Sequence, residues 1–425
     1  MTELSGKPTL LVAEQGRPGL FEAVGVEIEY MIVDIESLDV RPVCDRLMTA
    51  VSGAPLSEVE MGEIAWSNEL TLHVLELKTN GPATTLRGLS RRFHQNVRLA
   101  NRELELLGCQ LMPGAVHPWM DPHTETHLWP HEYNEVYQTF DRIFGCSGHG
   151  WSNLQSTHIN LPFRGDEEFG RLHAAIRIAL ALIPGLSAAS PYLDGRHGPA
   201  LDGRMVAYRG NARRIPSISG HVVPEPASSR HDYERDILGR IYADLAPYDP
   251  EGVLRHEWAN ARGAIARFDR GAIEIRVIDA QECPDADMAV AAAVVHLVRA
   301  LTEGRLADRD LLGDPSTEAL AAVLEEAFIR GEEAMLVDPV LLSVLVGRTD
   351  PMPLGALWRR LIDSDPPDDL DDGSARALET ILEEGTLGRR MLAAGGPEPS
   401  HSDLRRMGTV LCQCLSDNVS FSADV

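Results

Sequence analysis

The sequence predicts an α+β fold organised around an antiparallel sheet. Short segments with two-residue alternation recur through the first two-thirds of the chain. Helical patterns lie between them without the regular strand–helix–strand rhythm of a parallel sheet. Beyond about residue 305 the alternation stops and the remainder reads as several amphipathic helices.

Taken in order, Gly25–Asp34 (GVEIEYMIVD) alternates and then runs apolar. Asn68–Lys78 (NELTLHVLELK) reads as one strand with Leu70, Leu72 and Val74 on one side. Leu86–Leu107 has apolar residues at helical spacing. Ser156–Phe163 (STHINLPF) is a short strand, and Phe169–Ile183 is helical. Ala272–Asp279 (AIEIRVID) is a strand, and the Ala/Val-rich Pro284–Glu303 is a core helix. Ser364–Ser374 (SDPPDDLDDGS) reads as a solvated acidic linker. Residues 1–305 form the expected first domain, and 306–425 a helical elaboration packed on it.

The 425 residues carry 39 basic and 64 acidic side chains, a formal charge of −25. Such a surface repels nucleic acid and anionic lipid, so neither is an expected partner. A phosphorylated ligand then needs local arginines, or metal ions that neutralise clustered carboxylates. No apolar run approaches the ~20 residues of a membrane span. Met1–Glu14 lacks the layout of a secretory leader, which predicts a cytoplasmic protein. The six cysteines, at 44, 109, 146, 283, 412 and 414, have no CxxC spacing, which argues against a disulfide framework. Cys412 and Cys414 read as thiols near a frayed C-terminus.

The first chemical signal is Glu27-Ile28-Glu29. Residues i and i+2 of a strand share a face, so two carboxylates project together. In a half-buried strand that arrangement demands a cation, and carboxylate oxygen suits a hard divalent ion. A solvent-facing acidic pair is the plainer alternative. Glu274 and Arg276 likewise share one face of AIEIRVID, either as an ordinary ion pair or as a metal ligand beside a phosphate clamp. Ser156, His158 and Asn160 make a polar face on the third strand. Glu69 and Glu76 are separated by an odd number, so Glu69 precedes the strand or a bulge intervenes; Glu76 is preferred. Arg209, Arg213 and Arg214 (YRGNARRIP) form a basic cluster, read as an anion site or a solvated loop. GxxxxGK[ST], GxSxG and HExxH are absent. Gly145–Gly150 does not match GxGxxG, and His117, Asp121, His123 and His127 lack the spacing of a helical zinc site.

Together GVEIEY, ELTLHVLELKTNGP, QSTHINLPF, SPYLDGR, YRGNARRIP and ARFDRGAIEIRVIDAQECP resemble the glutamate–cysteine ligase family, in the bacterial branch that also holds other carboxylate–amine ligases. The likeness runs in order over about residues 20–300. It implies a glutamine-synthetase-like fold whose antiparallel sheet curves into a funnel, with flanking helices. ATP and Mg²⁺ are the implied cofactors, bound at the concave face. By motif position, Glu27, Glu29, Glu76, His158 and Glu274 are the implied metal ligands. Glu69 is implied at the metal or substrate site, and Arg276 and Arg213 at the transferred phosphate or the substrate carboxylate. Arg209, Arg214 and Asn160 are assigned to substrate binding. Some members show His-x-His where this chain has Thr157-His158-Ile159-Asn160, which favours the cysteine-ligase-like subgroup and leaves the acceptor amine open.

The implied reaction is ligation of a carboxylate, the γ-carboxylate of glutamate, to an amine such as cysteine through an acyl phosphate. No enzyme nucleophile is required, so Cys146 has no catalytic role. Two alternatives stand: the same chemistry on another acid or amine, and a catalytically silent paralogue that binds nucleotide or amino acid. Retention of every implied metal ligand argues against the second.

Overall fold

The computed structural model of the chain describes residues 16–306, 312–313 and 315–423. The leader reading of Met1–Glu14 lies outside them. Gly25–Asp34 is a strand, β1, and its alternation divides the molecule into two sides. Val26, Ile28, Tyr30 and Ile32 are wholly buried in the main apolar core, while Glu27 and Glu29 project from the opposite face. The other strands of this sheet are β2 (Glu58–Glu60), β3 (Ile64–Asn68), β4 (Val74–Thr79), β5 (Cys109–Met112), β6 (Ser156–Pro162), β7 (Ala264–Arg267) and β8 (Ala272–Asp279).

All pairings in the sheet are antiparallel, in the order β2-β3-β4-β1-β6-β8-β7. β5 and β6 share one side of β1. Glu27 faces Lys78 on one side and His158 on the other, and Met31 faces Val74 and Met112. The hairpin from β7 to β8 needs Gly271, whose φ of +70° lies in the left-handed region.

One strand reading is corrected. Asn68–Lys78 is not continuous: β3 ends at Asn68, the chain turns, and β4 starts at Val74. Leu70 and Leu72 therefore belong to the connection. The parity argument does not apply to Glu69, which leaves the end of β3 just before the turn.

The expected core helices form at Leu89–Glu105, Gly165–Leu180 and Pro284–Glu303. In the first, Phe93, Val97, Ala100 and Leu104 recur at three- and four-residue intervals and enter the same core as Ile28 and Leu77. Burying each large apolar side chain there contributes on the order of 1.5–3 kcal/mol. Past residue 305 the described chain is mainly helical. Leu320, Leu324, Trp358 and Leu378 enter the core shared with the sheet, and Trp358 Nε1 donates to Leu182 O at 2.9 Å. Cys412 and Cys414 lie buried on the helix His401–Asp417, not on a frayed end, and all six cysteines are unpaired.

The acidic segment Ser364–Ser374 is also not a solvated linker. Asp369 accepts the Leu86 N–H (2.7 Å) and the Arg87 N–H (3.3 Å), and Asp371 accepts the Gly88 N–H (2.7 Å). These carboxylates satisfy donors at the start of the helix Leu89–Glu105, whose N-cap Gly88 offers no side chain. Asp369→Ala is expected to lower unfolding free energy by about 1–2 kcal/mol in urea titration, with activity per folded molecule unchanged. Unaltered stability would restore the linker reading.

Candidate active site

The polar face of the sheet gathers the predicted carboxylates. β1 contributes Glu27 and Glu29, and β4 contributes Glu76 directly opposite Glu29. β6 contributes Ser156, His158 and Asn160, and β8 contributes Glu274 opposite Asn160. Apolar residues alternate with these along each strand and anchor it from behind, so the acids are presented by rigid backbone.

Two groups of ligand atoms converge. Glu27, Glu76 and His158 bring one atom each within 4.8 Å of one another, as do Glu29, Glu69 and Glu76. Glu76 belongs to both. Around them, Glu27 Oε2 is 3.3 Å from His158 Nδ1, and Glu27 Oε1 accepts Asn160 Nδ2 at 3.1 Å. Glu29 Oε2 accepts the Ser156 N–H (2.7 Å) and hydroxyl (2.8 Å). Ser67 donates to Glu76 at 2.5 Å. Glu274 lies 3.1 Å from Arg276 Nε, 3.5 Å from Arg267 Nη1 and 3.8 Å from His158 Nδ1.

The charges are unevenly compensated. Burial and then the neighbouring Glu29 and Glu76 push Glu69 well above the usual carboxylate range. Burial and Glu27 push Glu76 up to about 7. Glu27 goes the other way: burial opposes its ionisation, but the His158 hydrogen bond and charge bring it down to about 2. Burial disfavours the His158 imidazolium, yet Glu27 and Glu29 outweigh this and raise its pKa. The protein alone thus leaves protons on acids that a cation would displace. Five carboxylates and one imidazole on one face are a donor set that fits a hard divalent ion such as Mg²⁺.

Arg276 keeps 28% of its side chain exposed beside these acids, and Tyr208, Glu274, Glu29 and Glu69 raise its pKa despite burial. The other arginines behave differently. Arg209 is ion-paired with Glu325 (2.6 Å) on a C-terminal helix. Arg214 donates to Ile143 O (2.8 Å) and stacks over Tyr248. Neither is ion-paired with Glu27, Glu29, Glu69, Glu76 or Glu274 among the described residues. Arg213 is exposed on the same turn. His117 is buried, donating to Leu38 O at 2.8 Å, while His123 and His127 are exposed; no metal-binding group includes them among the described residues.

Three contributors escaped sequence reasoning. Lys78 bridges Glu58 (2.8 Å) and Glu76 (3.4 Å), and its parity with Glu76 in ELK was the available signal. Arg267 reaches Glu274 from β7, and Ser67 reaches Glu76 from β3. A cavity of about 220 Å³, counted with its mouth, opens beside Glu29 and Glu69, walled by Leu70, Val74, Trp151 and Leu154.

Residues 23–408 match the family model of glutamate-cysteine ligase family 2 (GCS2). An uncharacterised protein of Archaeoglobus fulgidus is 30% identical over 398 residues, covering 93% of this chain and 99% of that one. Glutamate–cysteine ligase from Francisella tularensis, solved in complex with AMP, has a TM-score of 0.62 at 13% identity, covering 94% of this chain and 90% of that one. A bifunctional glutathione synthetase from Pasteurella multocida gives 0.55 at 14% identity; the match covers 94% of this chain but only 52% of that one. These structures share the fold: the mixed helical and antiparallel architecture is the glutamine-synthetase-like one expected, with helices at its C-terminal end.

Proposed function

Because this chain belongs to glutamate–cysteine ligase family 2, we propose that it is an ATP- and Mg²⁺-dependent carboxylate–amine ligase acting on the γ-carboxylate of glutamate and an amine such as cysteine. The observation that carries the proposal is the convergence of Glu27, Glu29, Glu69, Glu76 and His158 beside the Glu274–Arg276 pair.

Glu27, Glu29, Glu76, His158 and Glu274 hold the metal in this reading, with Glu69 at its margin. Bound Mg²⁺ supplies charge neutralisation for the phosphates of ATP. The rigid strands hold the carboxylates in place before substrate arrives, so little reorganisation accompanies reaction. Arg276, aligned by Glu274, directs its planar guanidinium at charge developing on the transferring phosphoryl group. Asn160 and Ser156 fix the orientations of Glu27 and Glu29 through the bonds already described. Arg213 is retained as an anion contact from the exposed turn.

ADP and phosphate are expected only when ATP, Mg²⁺, a carboxylate and an amine are present together. Glutamate is offered with a panel of amines, and phosphate release is scored. Excess EDTA is expected to stop turnover. Continued turnover in EDTA would remove the metal assignment, and ATP hydrolysis independent of any amine would remove the ligase assignment.

A further inference from the structure

β8 carries one irregularity, and it falls at Arg276. Ile275 pairs with Ile159, yet the next pair is Ile278 with Thr157, so β8 advances three residues against two of β6. A bulge of this kind re-aims a side chain and disturbs the ladder. On the β7 side the Arg276 N–H donates to Gly263 O at 2.8 Å. The Arg276 carbonyl accepts from both Nη atoms of Arg204, each at 3.5 Å.

Arg204 is itself held. Its Nε is ion-paired with Asp279, and the two side chains are 2% and 0% exposed. Asp279 also accepts the Ala189 N–H and the Ser190 hydroxyl, each at 2.8 Å. Ser190 Oγ accepts the Arg204 N–H at 3.0 Å, and Asp202 caps the short helix Gly203–Tyr208 on which Arg204 sits. The network therefore grips β8 within the bulge, at Arg276, and again just past it, at Asp279.

A buried ion pair is a weak source of stability, because desolvating both charges offsets their attraction. A planar guanidinium that bridges a carboxylate and a carbonyl is instead a device for fixing geometry. We propose that Arg204 is a positioning residue that sets the β8 bulge and, through it, the aim of Arg276. The proposal rests on the role given to Arg276 above.

The test is a double-mutant cycle on the full-length chain with Arg204→Lys, Arg276→Lys and the double variant. It is read as initial rates of ADP release with ATP, glutamate and the amine that wild type uses best. Arg204→Lys is expected to lower kcat by about 10- to 100-fold, with KM for ATP within about threefold, as for a small misplacement of a reacting group. In the Arg276→Lys background the same change is expected to cost less than about threefold, because residues that act as a unit are not additive. Additive losses, or normal kcat in Arg204→Lys, would overturn the inference while leaving the ligase reading intact. Full kcat in Arg276→Lys would instead overturn the role of Arg276 and the inference with it. Should Arg204→Lys fail to fold, Ser190→Ala replaces it in the cycle, since it loosens the network without unpairing either charge. A several-fold loss confined to the Arg276 background is then expected, and an unchanged or additive rate contradicts the proposal.

Discussion

Glu76→Gln is expected to lower kcat by at least about 100-fold, the usual scale for losing a charge that stabilises a transition state. Glu76 is the residue shared by both converging groups, so its loss weakens each of them. Gln keeps nearly the same shape and removes the anion. Stability without Mg²⁺ is not expected to fall, because the wild-type carboxylate is buried beside other acids and is relieved of their repulsion when neutral. Lys78 keeps its partner Glu58 in the variant. The upward shift in melting temperature that Mg²⁺ gives the wild type, by binding only the folded state, is expected to shrink or vanish. Glu27→Gln and Glu29→Gln are expected to lose kcat on the same scale, and Glu27→Gln also gives up the pairing with His158. Full activity with an unchanged Mg²⁺-dependent melting shift in all three variants would eliminate the site.

Arg276→Lys is the second large effect. An ordinary surface ion pair with Glu274 would tolerate the change, costing under ~1 kcal/mol in stability and little activity. A guanidinium that grips a phosphoryl group cannot be replaced by a point charge. The expected loss is about 2–4 kcal/mol of transition-state stabilisation, mostly in kcat, with the melting temperature nearly constant. Near-normal kcat with a lowered melting temperature would make Arg276 structural. It would also weaken the place of Glu274, which shares its strand face and bonds to it.

Much of this site was legible because strands β1, β6 and β8 write their faces directly into alternation. Glu27 and Glu29, Ser156 and His158, and Glu274 and Arg276 each share a parity that the fold preserves. Glu69 was harder to place, since Leu70, Leu72 and Val74 imitate one continuous strand across a turn. The clustered arginines were hard to place for another reason. The partners of Arg209 and Arg214, namely Glu325, Ile143 and Tyr248, are distant in the chain, and nothing local reveals them. The acidic run at 364–374 failed likewise, because the helix start it satisfies lies nearly 300 positions earlier in the chain. Arg267 comes beside Glu274 through the β7–β8 hairpin, a local pairing visible once both strands are placed.

The central claim is that the cluster drives phosphoryl transfer to a carboxylate. Glutamate labelled with ¹⁸O in its γ-carboxylate tests it most directly, turned over with ATP, Mg²⁺ and the preferred amine, with the released phosphate read by mass spectrometry. Attack of the carboxylate on the γ-phosphorus makes an acyl phosphate, and amine attack then leaves one labelled oxygen on phosphate. The account predicts one ¹⁸O in inorganic phosphate for each amide formed, with ADP as the other product. Unlabelled phosphate alongside amide formation, or ¹⁸O appearing in AMP, would contradict it.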